Sequence, residues 1–333
     1  MNIGIIENAL AYGWWVGVLF IIMGFVALVK GADWLVDGAS SIAKNFGISD
    51  LVIGLTVVAF GTSMPEFVVN MVSVAEGTTD LAITNILGSN VINTFVILGL
   101  TALVYPVVSQ KRSRDFDIPF SIIAGFLVFA FVAIQMPFGE CERGIGRIGG
   151  VTLLLLFCYF LYNTFRHAKD HPDETGAETV KTLPTRRALA LITGGFVGLV
   201  VGGELIVRSA VDIATRMGVP ESIVGLTIVA LGTSLPELAT SVIAATKHNS
   251  DIALGNVIGS NIFNVFFVLG VSATVRPLPA YDGIELDAMM AALGSIIVWM
   301  SVKTNRERKI QRWAGALLLL VYGGYLTYRL LNV

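Results

Sequence analysis

Two glutamates stand inside apolar sequence where a carboxylate is costly. Glu66 closes the run GLTVVAFGTSMPE from Gly54, and Glu237 closes GLTIVALGTSLPE from Gly225. A constant offset of 171 residues relates the two runs and carries on through Asn85–Thr94 and Asn256–Val265. Across Gly54–Val104 the offset yields 22 identities in 51 positions, so the chain contains a duplication. Burying an ionisable group in membrane costs several kcal/mol unless a partner or a task compensates. Packing is a poor explanation for either glutamate.

The neighbouring residues narrow the task. Pro65 has no N–H, and its ring disfavours helix in the turn before it, so the helix should break near Gly61 and restart with Pro65 in its first turn. Carbonyls freed by such a break need partners in hydrocarbon, and a cation is one. Thr62 and Ser63 add hydroxyls beside Glu66, and Thr233 and Ser234 repeat them beside Glu237. Ser89 and Asn93 lie four apart on one helical face, and Ser260 and Asn264 match them. Two carboxylates, hydroxyls and amide oxygens form a hard oxygen set that suits Ca²⁺, which takes about 6–8 such ligands. The set also suits Na⁺, and it contains no His or Cys. Asn85, Asn256, Asn90 and Asn261 read better as inter-helix hydrogen-bonding groups.

These residues need a scaffold, and composition supplies its class. The chain has 333 residues, 55% hydrophobic and 14% charged, against about a quarter charged in soluble domains. Apolar segments of roughly 20 residues recur along its length, each enough to cross about 30 Å of hydrocarbon. The chain reads as an all-α polytopic membrane protein whose partner is the lipid bilayer. Ten spans are expected, near 11–30, 48–75, 80–105, 117–137, 146–165, 187–208, 219–246, 251–276, 285–302 and 311–331. Ser40–Phe46 reads as an extra helical piece joined to the second span. The N-terminus lacks a basic n-region and carries Glu7, so the first span is expected to be retained.

Placing the N-terminus outside puts 16 of the 22 basic residues in inner loops, which sets the expected orientation, with both termini outside. The polar stretch 166–186 separates the copies as a cytoplasmic linker. The expected organisation is a first five-helix repeat over 1–165, with its motif at 54–104, and a second over 187–333, with its motif at 225–275. Five is odd, so the second repeat crosses the membrane in the opposite sense. Such inverted repeats meet about a pseudo-two-fold axis near the bilayer midplane. Glu66 and Glu237 should therefore share one site between broken helices.

Other features point elsewhere or nowhere. A net charge of −2 gives no basic field for nucleic acid. Cys141 and Cys158 have no metal spacing and form no disulfide framework. His167 and His171 read as solvated linker residues. Gly144, Gly146 and Gly149 match a dinucleotide fingerprint but lack the βαβ context it needs. Asp80, Asp251, Asp50 and Glu221 read as helix-start residues, with a place at a vestibule mouth as the alternative, and Asp282, Glu285 and Asp287 as a solvated outer acidic cluster, with attraction of cations as the alternative. Glycines at 194, 198 and 202, and at 13 and 17, should let helices approach closely.

The paired G-T-S-x-P-E and G-S-N-x-x-N motifs in inverted copies resemble the α-repeats of the cation/calcium exchanger superfamily, with closest likeness to prokaryotic Na⁺/Ca²⁺ exchangers. The likeness runs from about Gly31 to Val104 and from Gly202 to Val275. It implies that Glu66 and Glu237 are central ligands shared by Ca²⁺ and Na⁺. It further implies that Thr62, Thr233, Ser63, Ser234 and the carbonyls of Ala59 and Ala230 line flanking Na⁺ sites, and that Ser89, Ser260, Asn93 and Asn264 complete the cluster. The first and sixth spans would slide against a fixed core. Some family members, including the potassium-dependent branch, carry Asp where this chain has Asn264, which puts K⁺ co-transport in doubt. The resemblance implies a Na⁺/Ca²⁺ antiporter of the prokaryotic plasma (inner) membrane, with no enzyme activity and no cofactor. The alternatives are an H⁺/Ca²⁺ antiporter on the same scaffold, with H⁺ as a competitor for the carboxylates in either case, and a cation channel. No nucleophile and base are placed together for a membrane enzyme.

Overall fold

In the computed structural model, residues 6, 10, 13–134, 143–170, 183–218, 230–281 and 283–331 are described. They form helices at each of the ten expected spans. Eight are single helices long and apolar enough to cross a bilayer: Trp14–Phe46, Thr79–Val104, Ser113–Ala133, Arg147–Asp170, Thr185–Arg216, Ser250–Val275, Ile284–Thr304 and Arg312–Leu331. The second span is a pair, Asp50–Thr62 and Met64–Glu76, bent by 45°. The described part of the seventh repeats that pair as Ala230–Thr233 and Leu235–Thr246. Residues 219–229 of that span, and Glu7, Cys141, His171, Lys181, Glu221 and Asp282, lie outside the described residues.

The third and eighth spans form the core. Ile83, Ile86, Leu87, Phe95 and Leu98 are fully buried on one, as are Val257, Val265, Phe266, Val268 and Leu269 on the other. The fifth and tenth spans turn large apolar side chains outward, among them Ile148 (77% exposed) and Leu320 (74%). Apolar surface on that scale is tolerable against lipid and costly against water.

The first and sixth spans lie antiparallel along much of their length and come close enough for backbone to meet backbone at a row of glycines. A β-carbon added at Gly24 would come within 2.8 Å of the Gly202 carbonyl, one at Gly31 within 2.8 Å of the Gly195 carbonyl, and one at Gly38 within 2.7 Å of the Ala188 carbonyl. The seven-residue spacing of Gly17, Gly24, Gly31 and Gly38 keeps this stripe on one face. The expected roles of Gly13 and Gly194 need correction. Gly13 precedes the helix at φ 137° and meets only its own Trp15, and Gly194 faces Trp34 at ordinary contact distance.

Ser40–Phe46 also departs from expectation, since it ends the first span and does not open the second. The first helix runs unbroken for 33 residues until Gly47, in the left-handed conformation at φ 63°, caps it with N–H bonds toward Ala43 and Lys44. Gly accepts that conformation without strain. Ser49 then starts the second span, its hydroxyl accepting from Val52 N at 3.3 Å.

Two short antiparallel ladders tie the repeats together. β1 (Val107–Val108), after the third span, pairs with β4 (Lys309–Ile310), after the ninth. β2 (Gly144–Ile145), before the fifth, pairs with β3 (Leu278–Pro279), after the eighth. β1 and β3 are related by the 171-residue offset. In an inverted repeat the two ladders therefore fall on opposite faces of the bundle.

Candidate functional site

The two helix breaks lie against each other across the repeat axis. Ser63 and Ser234 each sit between two helical pieces with φ near −88°, and a proline follows in the first turn of the next piece. Each hydroxyl crosses to the other repeat. Ser63 Oγ donates to Glu237 Oε1 at 2.7 Å, and Ser234 Oγ donates to Glu66 Oε1 at 3.4 Å. Ser260 Oγ also approaches Glu237 Oε1, at 3.5 Å. Both glutamates are fully buried. The other oxygen of each, Glu66 Oε2 and Glu237 Oε2, accepts no hydrogen bond from the described residues.

More acceptors gather on the core spans. Ser89, Asn93, Ser260 and Asn264 are all buried. Ser89 Oγ, both amide atoms of Asn93 and Asn264 Oδ1 have no partner among the described residues. Asn93 and Asn264 each fall in a π-helical segment, Ile92–Ile97 and Phe263–Leu269, the wide turn often found at functional positions. The sequence reading did not anticipate these turns. Buried oxygens without donors are expensive unless something positive satisfies them. No Lys or Arg bonds to either glutamate among the described residues, so the surplus of acceptors fits a metal cation as cargo.

The flanking residues are placed less uniformly. The Thr62 hydroxyl lies 3.0 Å from Asn256 Oδ1 and 3.3 Å from the Ala59 carbonyl, which also accepts Ser63 N–H at 3.0 Å. Thr233 is half-buried at the end of its short helix, and Ala230 is the first described residue of the seventh span. A cavity of about 420 Å³ beside the sixth span is lined by Pro65, Pro236, Thr233 and Glu204, among others, so Thr233 stands between the site and an opening.

A second set of amides supports the ligand candidates, as expected for Asn85, Asn90, Asn256 and Asn261. Asn256 Nδ2 donates to Ser241 Oγ at 2.9 Å, and Asn85 Nδ2 donates to Asn70 Oδ1 at 2.9 Å. Asn70 and Ser241 are repeat equivalents that the sequence reading passed over. Each lies four residues after its glutamate, on the same helical face, and that spacing was the available signal.

The residues assigned to the periphery need two corrections. Asp287 is not solvated. It is buried, accepting from Tyr281 Oη at 2.5 Å and Tyr325 Oη at 2.7 Å, with Arg329 at 3.5 Å. Glu285 pairs with Arg143. Asp50 and Asp251 do start helices, yet they also accept long-range bonds, from Asn249 at 2.7 Å and Gln110 at 2.6 Å.

An inverted ten-span bundle with paired carboxylates buried at its broken helices is the architecture of a secondary transporter. Sequence comparison places it further. The family described as Sodium/calcium exchanger protein matches residues 16–166 and 187–331, and the chain belongs to that family. It is 39% identical over 316 residues to a protein of Alkalimonas amylolytica provisionally named antiporter CaxA, covering 93% of this chain and 97% of that one. It is 32% identical over 343 residues to the sodium/calcium exchanger MaX1 of Methanosarcina acetivorans, covering 93% and 97%. Its fold matches a structure of the sodium-calcium exchanger NCX_Mj soaked with zero Na⁺ and Ca²⁺, at a TM-score of 0.80 and 32% identity, over 94% of this chain and 98% of that one. Structures of that exchanger soaked with Na⁺ together with Ca²⁺ or Sr²⁺ match comparably.

Proposed function

We propose that this protein exchanges Na⁺ for Ca²⁺ by alternating access to one midplane site. The observation that carries the reading is the pair of fully buried carboxylates, each with one oxygen that accepts no hydrogen bond from the described residues, among hydroxyl and amide oxygens likewise without a partner there. Glu66 and Glu237 act as the shared ligands. Ser63, Ser234, Ser89, Ser260, Asn93 and Asn264 supply neutral oxygens around them. Thr62, Thr233 and the carbonyls of Ala59 and Ala230 line flanking Na⁺ positions. Two carboxylates carry about −2, which one Ca²⁺ or two Na⁺ can neutralise, and an uncompensated pair in low dielectric opposes the change of facing. Coupling follows, because only a loaded carrier crosses over. Asn264 withholds a third carboxylate, which argues against K⁺ co-transport. No resident cofactor is needed. The protein works in the prokaryotic plasma membrane, with its basic loops and linker on the cytoplasmic side and both termini outside.

Protons compete for the same carboxylate oxygens. Protonation removes both the charge and a lone pair, so Ca²⁺ uptake at fixed Ca²⁺ should fall as pH falls and recover when Ca²⁺ is raised. The deciding experiment is Ca²⁺ uptake into proteoliposomes under an outward Na⁺ gradient, with and without K⁺. Uptake that follows a pH gradient without Na⁺ would point to the H⁺/Ca²⁺ antiporter instead, and uptake down a Ca²⁺ gradient with no counter-ion would point to a channel.

A further inference from the structure

One amide at the site has its orientation set by a chain of donors and acceptors that begins at a backbone carbonyl. The Asn261 carbonyl can only accept, so Asn90 must offer it the NH₂ group, and Asn90 Nδ2 lies 3.1 Å from it. Asn90 is left with Oδ1, which also only accepts. That oxygen faces Asn264, which must therefore present its own NH₂, at 3.1 Å. Asn264 Oδ1 is what remains, buried and without a partner among the described residues. It belongs to the helical face of Ser260, whose hydroxyl reaches toward Glu237. Asn93, the repeat equivalent of Asn264, has neither amide atom engaged among the described residues, and Asn261, the equivalent of Asn90, gives its Nδ2 to Thr94 Oγ1 at 2.7 Å.

We propose that Asn90 is a positioning residue for the cation: it holds Asn264 so that the amide oxygen, and not the NH₂ group, is turned to the ion between Glu66 and Glu237. The proposal rests on the ligand set proposed above. Rotating Asn264 by half a turn would set its oxygen against Asn90 Oδ1, two acceptors with no proton between them. Rotating Asn90 as well would set its oxygen against the Asn261 carbonyl. Every alternative loses a buried hydrogen bond, so the orientation is fixed before an ion arrives. The second repeat thus offers a pre-aimed oxygen, and no described residue aims its counterpart in the first.

The test is a double-mutant cycle in proteoliposomes, reading the half-saturating Ca²⁺ concentration (K½) separately from the maximal rate, with Ca²⁺-induced thermal protection of the purified protein as a second readout. Asn90→Leu and Asn264→Leu should each raise K½ about tenfold, the worth of one well-placed hydrogen-bonding group. The double variant should be no worse than the poorer single by more than about twofold, since non-additivity marks residues acting through one another. Asn261→Leu keeps the backbone carbonyl and cuts only the bond to Thr94, so it should leave K½ within about twofold of wild type. Multiplicative effects of Asn90→Leu and Asn264→Leu would overturn the proposal, as would an equal rise in K½ from Asn261→Leu. If Asn90→Leu does not fold, Asn90→Ala takes its place with the same expectation. Failure of both while Asn264→Leu folds would show that Asn90 holds the helices and not the ligand, and would also overturn it. An Asn264→Leu variant with wild-type K½ is a different result: it removes Asn264 from the proposed ligand set.

Discussion

Lys247 and Glu76 occupy the same place in the two repeats and carry opposite charges. Lys247 follows the seventh span and reaches the first, with Nζ 2.7 Å from Asp33 Oδ1 and 2.6 Å from Asp37 Oδ1. The second-repeat equivalents of Asp33 and Asp37 are Glu204 and Arg208, and these pair with each other along the sixth span. At one end, then, a lysine ties the glycine-striped first helix to the seventh span. At the other, the corresponding helix pairs with itself and a cavity opens beside it toward Thr233. Between those ends the breaks are alike, serine for serine and glutamate for glutamate. The difference separates two requirements. In the exchange proposed above, holding an ion asks for like chemistry from both halves, whereas preferring one facing asks for unlike ties at the two ends.

The strongest way to break this comparison is at the centre. Glu66→Gln and Glu237→Gln should each reduce Ca²⁺ uptake by about 100-fold or more, since each leaves a buried charge and its cargo uncompensated. Similar losses from both would support equal partners, and near-normal uptake in either would sink the shared-site account.

A sharper cut compares Asn93 with Asn264. Asn93→Asp adds a charge where no amide partner objects, and should lower the K½ for Ca²⁺ about tenfold. Asn264→Asp sets an acceptor against Asn90 Oδ1 and should raise it. Equal tightening by both, measured as Ca²⁺-dependent uptake at neutral pH, would mean that the repeats are interchangeable here after all.

The smallest effect belongs to the ends. The Lys247 pairs are partly exposed, at 28% for the lysine and 36% and 52% for the aspartates, so they are worth about 1 kcal/mol or less. Lys247→Gln should shift the balance of facings by about fivefold at most. Labelling of a cysteine introduced at Ser41, which lines one cavity with Lys247, in a background without Cys141 and Cys158, should become faster. Unchanged labelling would reduce the lysine to an ornament of the surface.

Much of this was legible in sequence because the physics was local or periodic. Pro65 and Pro236 announced the breaks, the constant offset announced the paired site, and the odd number of spans announced its inversion. The rest depended on context that no window contains. Nothing in the apolar run around Asn93 signals a π-turn, because the turn is stabilised by what packs on it. Ser40–Phe46 was given to the wrong span because Gly47, not Lys30 or Gly31, is where the helix is capped. Asp287 looked solvated because Tyr325 and Arg329 lie about forty residues away, beyond any local pattern. The orientation of Asn264 could be read only from its partners across the repeat boundary.

The β1–β4 ladder has a consequence for how the molecule is made. Its strands are about 200 residues apart, and at about 5–20 residues per second the ribosome needs some tens of seconds to supply the second after the first. Until then the segment at Val107–Val108 has no ladder partner, and for much of that interval Glu66 is in the membrane without Ser234, the hydroxyl it accepts from in the folded chain. Glu66 and Glu237 can therefore face each other only once the second repeat has been made, and a chain ending before Ser234 would leave Glu66 in the membrane without that partner.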